Sequence, residues 1–127
     1  MSTLAEFMGG LITAIQVHPI CESVGITDTK EFSSEQFSFK IRAVFRKGIQ
    51  FQARIYFNKG HIDYAYQVFT DKPVMRWDNK EEFSHLTTFP HHFHDPYGNV
   101  RASDLKGDPI QDIQFILTAI SDYPGSQ

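Results

Sequence analysis

The sequence predicts an α+β fold: an antiparallel meander of about five strands, with an N-terminal and a C-terminal helix packed on one face. Three observations carry this expectation. Residues 37–45 and 49–57 alternate apolar and polar side chains, a period of two that a helix cannot satisfy. Short turn signals separate these runs from their neighbours. Near both ends, apolar residues instead recur three and four apart, which is the spacing of one helix face. At 127 residues the chain is read as one domain, 1–127, long enough to bury a core without disulfide or metal staples.

The elements follow in order. Residues 3–17 read as an amphipathic helix with Leu4, Phe7, Met8, Leu11, Ile12 and Ile15 on one face. Thr3 and Glu6 form a capping box at its start, and Pro19 ends it. Gly9-Gly10 costs this helix about 1 kcal/mol per glycine relative to alanine. Residues 24–29 are a weaker strand signal, followed by a turn at Ser33-Ser34-Glu35. Phe37, Phe39, Ile41, Ala43 and Phe45 then alternate with polar residues. Beyond a turn at Arg46-Lys47-Gly48, so do Ile49, Phe51, Ala53, Ile55 and Phe57. Asn58-Lys59-Gly60 turns the chain again, with glycine where a positive φ is needed. Ile62, Tyr64, Tyr66 and Val68 are the next apolar set, and Val74 to Trp77 starts a further strand. Residues 79–101 lose the pattern and read as polar loop with one short strand at most. Asp108 and Pro109 open a second helix, with Ile110, Ile113, Ile116, Leu117 and Ile120 as its buried stripe. Phe39, Ile41, Phe51, Ile55, Ile116 and Leu117 are the expected core. The outer sheet face would carry Lys40, Arg42, Gln50, Gln52 and Arg54.

Composition narrows the function classes. The formal charge is −3 and the pI about 6.0, which argues against a protein held on nucleic acid by bulk charge. Local engagement of a few phosphates remains open. The single cysteine, Cys21, cannot form an internal disulfide, and with no signal-peptide pattern it suggests the cytoplasm. No apolar run approaches a membrane span.

The chemistry concentrates late in the chain. Four of the six histidines, His85, His91, His92 and His94, fall within ten residues, just after Arg76-Trp77-Asp78-Asn79. Imidazole titrates near neutrality and is the commonest metal ligand. Two readings stay open from the residues alone. In the first, His92 and His94 share one face of an extended segment and hold zinc, with His85 or Asp95 as third ligand. In the second, histidines act as acid and base on a phosphodiester while the Arg76 guanidinium neutralises charge. Trp77, Tyr64 and Tyr66 read as core. Asp78-Asn79 doubles as a turn signal, and Arg54 first reads as a solvated charge. The histidines are placed on a loop, where a substitution such as His92→Ala would cost about 0.5 kcal/mol or less.

The stretch from Tyr64-Ala65-Tyr66-Gln67, through Met75-Arg76-Trp77-Asp78-Asn79, to Phe89-Pro90-His91-His92-Phe93-His94 resembles the TumE-like family of toxin proteins from toxin–antitoxin operons. The family pattern is Arg-Tyr-Asp-Asn, a spacer, then Pro-His-His-x-His and a final helix. Here Trp77 takes the tyrosine position. Many relatives carry Gly-His-His soon after Asp-Asn, whereas this chain has Glu81-Glu82-Phe83 with only His85 nearby. The resemblance implies a cytoplasmic toxin with a DNA-binding antitoxin as partner and RNA as substrate. It would then be a small ribonuclease, a hydrolase. The catalytic candidates are Arg76, Asp78, His91, His92 and His94, and Asn79, His85 and Arg54 are the candidates for substrate binding. No cofactor is expected on that reading. The alternatives are a non-enzymatic protein-binding module and a metalloprotein with zinc on His92 and His94. Oligomeric state, including a homodimer, is left open.

Overall fold

The structure, a computed structural model, describes residues 3–127. It consists of α1 (Leu4–Gln16), seven strands and α2 (Pro109–Asp122). The strands are β1 (Cys21–Ser33), β2 (Gln36–Phe45), β3 (Ile49–Asn58), β4 (His61–Phe69), β5 (Pro73–Asp78), β6 (His92–His94) and β7 (Val100–Ala102). They form one sheet in the order β1 to β7, every neighbouring pair antiparallel. The expected α+β meander is therefore present, with seven strands in place of about five. The two additional strands come from the stretch read as loop. The first strand is also longer than residues 24–29, because β1 pairs along the whole of β2 despite its scattered polar residues.

The alternation in β2 and β3 decides which face is covered. Phe37, Phe39, Ile41, Phe45, Ile49, Phe51 and Ile55 are almost fully buried, and they share one cluster with Phe7, Leu11 and Ile15 of α1 and Ile113, Ile116, Leu117 and Ile120 of α2. Both helices thus lie on the apolar face, as a helix with one apolar stripe requires. Thr3 caps α1, its hydroxyl accepting the Glu6 amide, while the Glu6 carboxylate accepts from that hydroxyl and not from the Thr3 backbone. Asp108 caps α2 by accepting the Ile110 amide, with Pro109 in the first turn.

One residue of the expected stripe departs. Ile110 is 41% exposed. Its Cδ1 sits 2.7 Å from where a Cβ on Gly10 would lie. The mid-helix glycine that weakens α1 therefore lets α2 pack close against it.

Candidate active site on the outer face of strands five and six

Strand register builds the site. On β5, Arg76 and Asp78 are two apart and so share a face, while Trp77 points the other way. The same holds on β6 for His92 and His94, with Phe93 between them. The pairing sets Arg76 opposite His94, Trp77 opposite Phe93 and Asp78 opposite His92. Trp77 is buried on the helix side and stacks on Phe93 at 4.8 Å. On the other side of the sheet, the two polar pairs form a compact square.

The Asp78 carboxylate is the centre of that square and is itself almost fully buried. Its Oδ2 accepts from Arg76 Nε at 2.8 Å and lies 4.0 Å from His94 Nε2. Its Oδ1 accepts the Lys80 amide at 3.0 Å. His92 Nε2 lies 3.0 Å from the same Oδ1, yet makes no hydrogen bond, because the approach is off the direction one needs. On the other edge of that ring, His92 Nδ1 is 3.1 Å from the Pro90 carbonyl oxygen. A carbonyl only accepts, so Nδ1 carries the proton, and in a neutral ring Nε2 is bare. His92 is 1% exposed, whereas Arg76 and His94 are half-buried and reach solvent. Burial lowers the His94 pKa below the ordinary imidazole value, with His92 and Arg76 acting in the same direction and Asp78 and Glu82 opposing. His94 is therefore mostly neutral near pH 7.

Phe83 completes the enclosure. Its ring meets His92 edge-on at 4.8 Å and His94 at 6.0 Å. The backbone there has φ +56, an unusual conformation for a bulky side chain. Nothing in the periodicity marks Phe83, which falls in a stretch without pattern. The one signal is its place in the segment where the resembled family carries Gly-His-His.

The remaining sequence candidates separate. His91, next to His92 on the chain, faces the helix side. Its Nδ1 is 2.7 Å from the Tyr64 hydroxyl, its ring stacks on Tyr64 at 5.7 Å, and Gly107 gives it room. It does not join His92 and His94 on one patch, contrary to the expectation, because alternation puts neighbours on opposite faces. Burial lowers its pKa, and Asp112 opposes that shift. Tyr64 is core, as read from sequence, and burial raises its hydroxyl pKa far above the usual value. Asn79 Oδ1 accepts the Tyr64 amide and its Nδ2 donates to the Ile62 carbonyl, so its amide extends the β4–β5 pairing. His85 is exposed and lies edge-on to the Phe83 ring at 6.4 Å, apart from the square. Asp95 accepts the Tyr97 and Asn99 amides, which fixes the turn into β7. Neither His85 nor Asp95 supplies the third ligand of the metal reading; Asp78 stands in that place.

Arg54 lies in the same cross-sheet row as the square, through Lys40–Arg54, Arg54–Ala65, Ala65–Asp78 and Asp78–His92 pairs. A cleft of about 620 Å³ runs along this outer face, with Lys40, Arg54, Arg76, Asp78 and Lys80 among its walls. Arg76 and Asp78 therefore belong to both cleft and square.

The family model described as Toxin TumE matches residues 11–123, from inside α1 through α2. The chain belongs to the TumE toxin family. The match covers the whole sheet, so the Arg76–Asp78 and His92–His94 segments both lie within the TumE region. Membership of this toxin family gives the chain a toxin role and implies an antitoxin partner. Neither the curated proteins nor the solved structures contain a match to it. Among the described residues, no helix is long and apolar enough to cross a membrane.

Proposed function

We propose that this TumE toxin is a ribonuclease whose reaction centre is Arg76, Asp78 and His94, with His92 as their buried support. The observation that carries the reading is the cross-strand square, which sets a guanidinium and a solvent-reaching imidazole against one buried carboxylate. Each part has a chemical task. His94, neutral near pH 7 and open to solvent, takes the proton of an RNA 2′-hydroxyl as that oxygen bonds to phosphorus. The bond to the 5′-oxygen breaks, and that oxygen is protonated from solvent. Arg76 faces the phosphate charge that builds up, and a planar guanidinium suits that role. Asp78 holds Arg76 in place through the 2.8 Å bond. Lys40, Arg54 and Lys80 along the cleft supply phosphate contacts for neighbouring nucleotides. The partner on this reading is a DNA-binding antitoxin, and the site of action is the cytoplasm.

The test is RNA cleavage by the purified, untagged chain in the presence of a chelator. His94→Ala should slow it by about 10²–10⁴-fold while leaving the melting transition in place. No cleavage from wild-type protein that still arrests growth would overturn the reading and leave partner binding as the mode of action.

A further inference from the structure

One contact of the square, His92 Nε2 against Asp78, has no part in proton transfer. With Nδ1–H on the Pro90 carbonyl, a neutral His92 ring brings an acceptor nitrogen within 3.0 Å of Asp78 Oδ1 in a buried place, with its lone pair aimed to one side of that oxygen. Two acceptor atoms at that range repel unless something positive lies beside them. A proton on His92 Nε2 would serve if it lay on the line to Asp78, but the ring is not aimed to make that bond.

We propose that Asp78, His92 and His94 form a binding site for a divalent transition-metal ion of the zinc class. One ligand atom from each residue lies within 4.8 Å of the other two. Zinc sits about 2.0–2.2 Å from nitrogen and oxygen ligands, so its ligand atoms lie roughly 3–4 Å from each other. The Asp78 carboxylate meets that range through both of its oxygens, Oδ1 at 3.0 Å from His92 Nε2 and Oδ2 at 4.0 Å from His94 Nε2. The outer partners are also those of a metal site. His92 donates Nδ1–H to the Pro90 carbonyl, which presents Nε2 as the ligating atom. Asp78 is oriented by the Lys80 amide and by Arg76. Two imidazoles favour a transition metal over calcium or magnesium, which prefer all-oxygen ligands. Three protein ligands leave a fourth position open, on the side where His94 and Arg76 reach solvent, while Phe83 covers part of the site. The Arg76 charge beside Asp78 opposes a cation but contributes no ligand.

This inference does not depend on the ribonuclease reading. The two meet at His94, whose lone pair cannot hold an ion and accept a proton at the same time. The loaded protein should therefore lose the cleavage proposed above, and chelation should restore it.

The experiment titrates the full, untagged, chelator-treated chain with cobalt, followed by its visible absorption, and with zinc by calorimetry. One ion per chain is expected. Asp78→Asn and His94→Ala should each weaken binding by more than the roughly 10–100-fold typical of losing an outer partner. His91→Ala, on the opposite face, should bind as wild type, and melting curves confirm that each variant is folded. Absent binding, or binding that both site variants retain, would overturn the metal site and leave the ribonuclease reading untouched. Binding as expected together with cleavage that requires zinc would confirm the site but remove His94 as the base.

Discussion

The string Pro90-His91-His92-Phe93-His94 serves two faces of one sheet, and they differ in kind. On the helix side, His91 stacks on Tyr64, Phe93 stacks on Trp77, and the neighbourhood is apolar core. On the outer side, His92 and His94 meet Asp78 and Arg76 in a small polar square. The same segment, with the same residue type at adjacent positions, gives packing on one side and reactive groups on the other. In an extended chain the identity of a residue says less about its role than its parity does. Burial does not separate the two faces, since His92 is as hidden as Trp77. The polarity of what surrounds each residue does.

The largest expected effect tests the helix side. Trp77→Ala should destabilise the protein by about 3–5 kcal/mol, because it opens a cavity in the buried core. Its strand neighbour Arg76→Ala should cost under about 1 kcal/mol, as expected for a partly exposed ion pair. Denaturant melts of the two variants measure the contrast. Equal losses would mean that the two faces of β5 are not energetically distinct.

His92→Ala sharpens the comparison. A loop histidine would contribute almost nothing, but this one is buried under Phe83 and opposite Asp78. A loss of about 1–3 kcal/mol is expected. A loss below about 0.5 kcal/mol would return it to the surface loop read from sequence.

Two tyrosines on the helix side separate hydrogen bonding from packing. Tyr64→Phe removes a 2.7 Å bond to His91 and should cost about 0.5–1.5 kcal/mol. The Tyr66 hydroxyl is buried without a partner, so Tyr66→Phe should be neutral or stabilising by up to about 1 kcal/mol. A destabilised Tyr66→Phe would show that the hydroxyl has found a partner, a water or another group.

The smallest effect is in pH, and both faces contribute to it. Burial lowers the pKa of His91 and of His94, so the fold favours their neutral forms. Above the unfolded value of about 6.5 both rings are neutral in either state, and the stability is fully present. As pH falls below that value, the unfolded chain gains protons that the folded chain refuses. Stability then declines until the lowered folded values are passed. In chelated protein, His91→Gln and His94→Gln should each flatten the stability profile between neutral and mildly acidic pH. Unchanged slopes would place the acid sensitivity elsewhere.

Local patterning carried most of the fold. Phe39, Ile41, Phe51 and Ile55 announced two core strands because alternation of apolar and polar side chains needs no knowledge of distant residues. Asp108-Pro109 announced a helix start for the same reason, since capping is a local exchange of hydrogen bonds. The residues suited to chemistry were also visible, because histidines grouped beside an arginine and a carboxylate stand out in a chain otherwise built for packing. The tertiary structure decided how they combine. Strands β6 and β7 are three residues each and have no periodicity of their own; they exist because β5 offers an edge to pair with. That pairing brings His92 to Asp78 and His94 to Arg76 across a gap of more than a dozen residues, and it turns His91 away. The tertiary fold also sets Phe83 over the imidazoles and, where α2 meets α1, leaves Ile110 on the surface above Gly10. Registers between strands far apart in sequence depend on hydrogen bonds and contacts that no single segment encodes, which is why only the folded chain reveals the square.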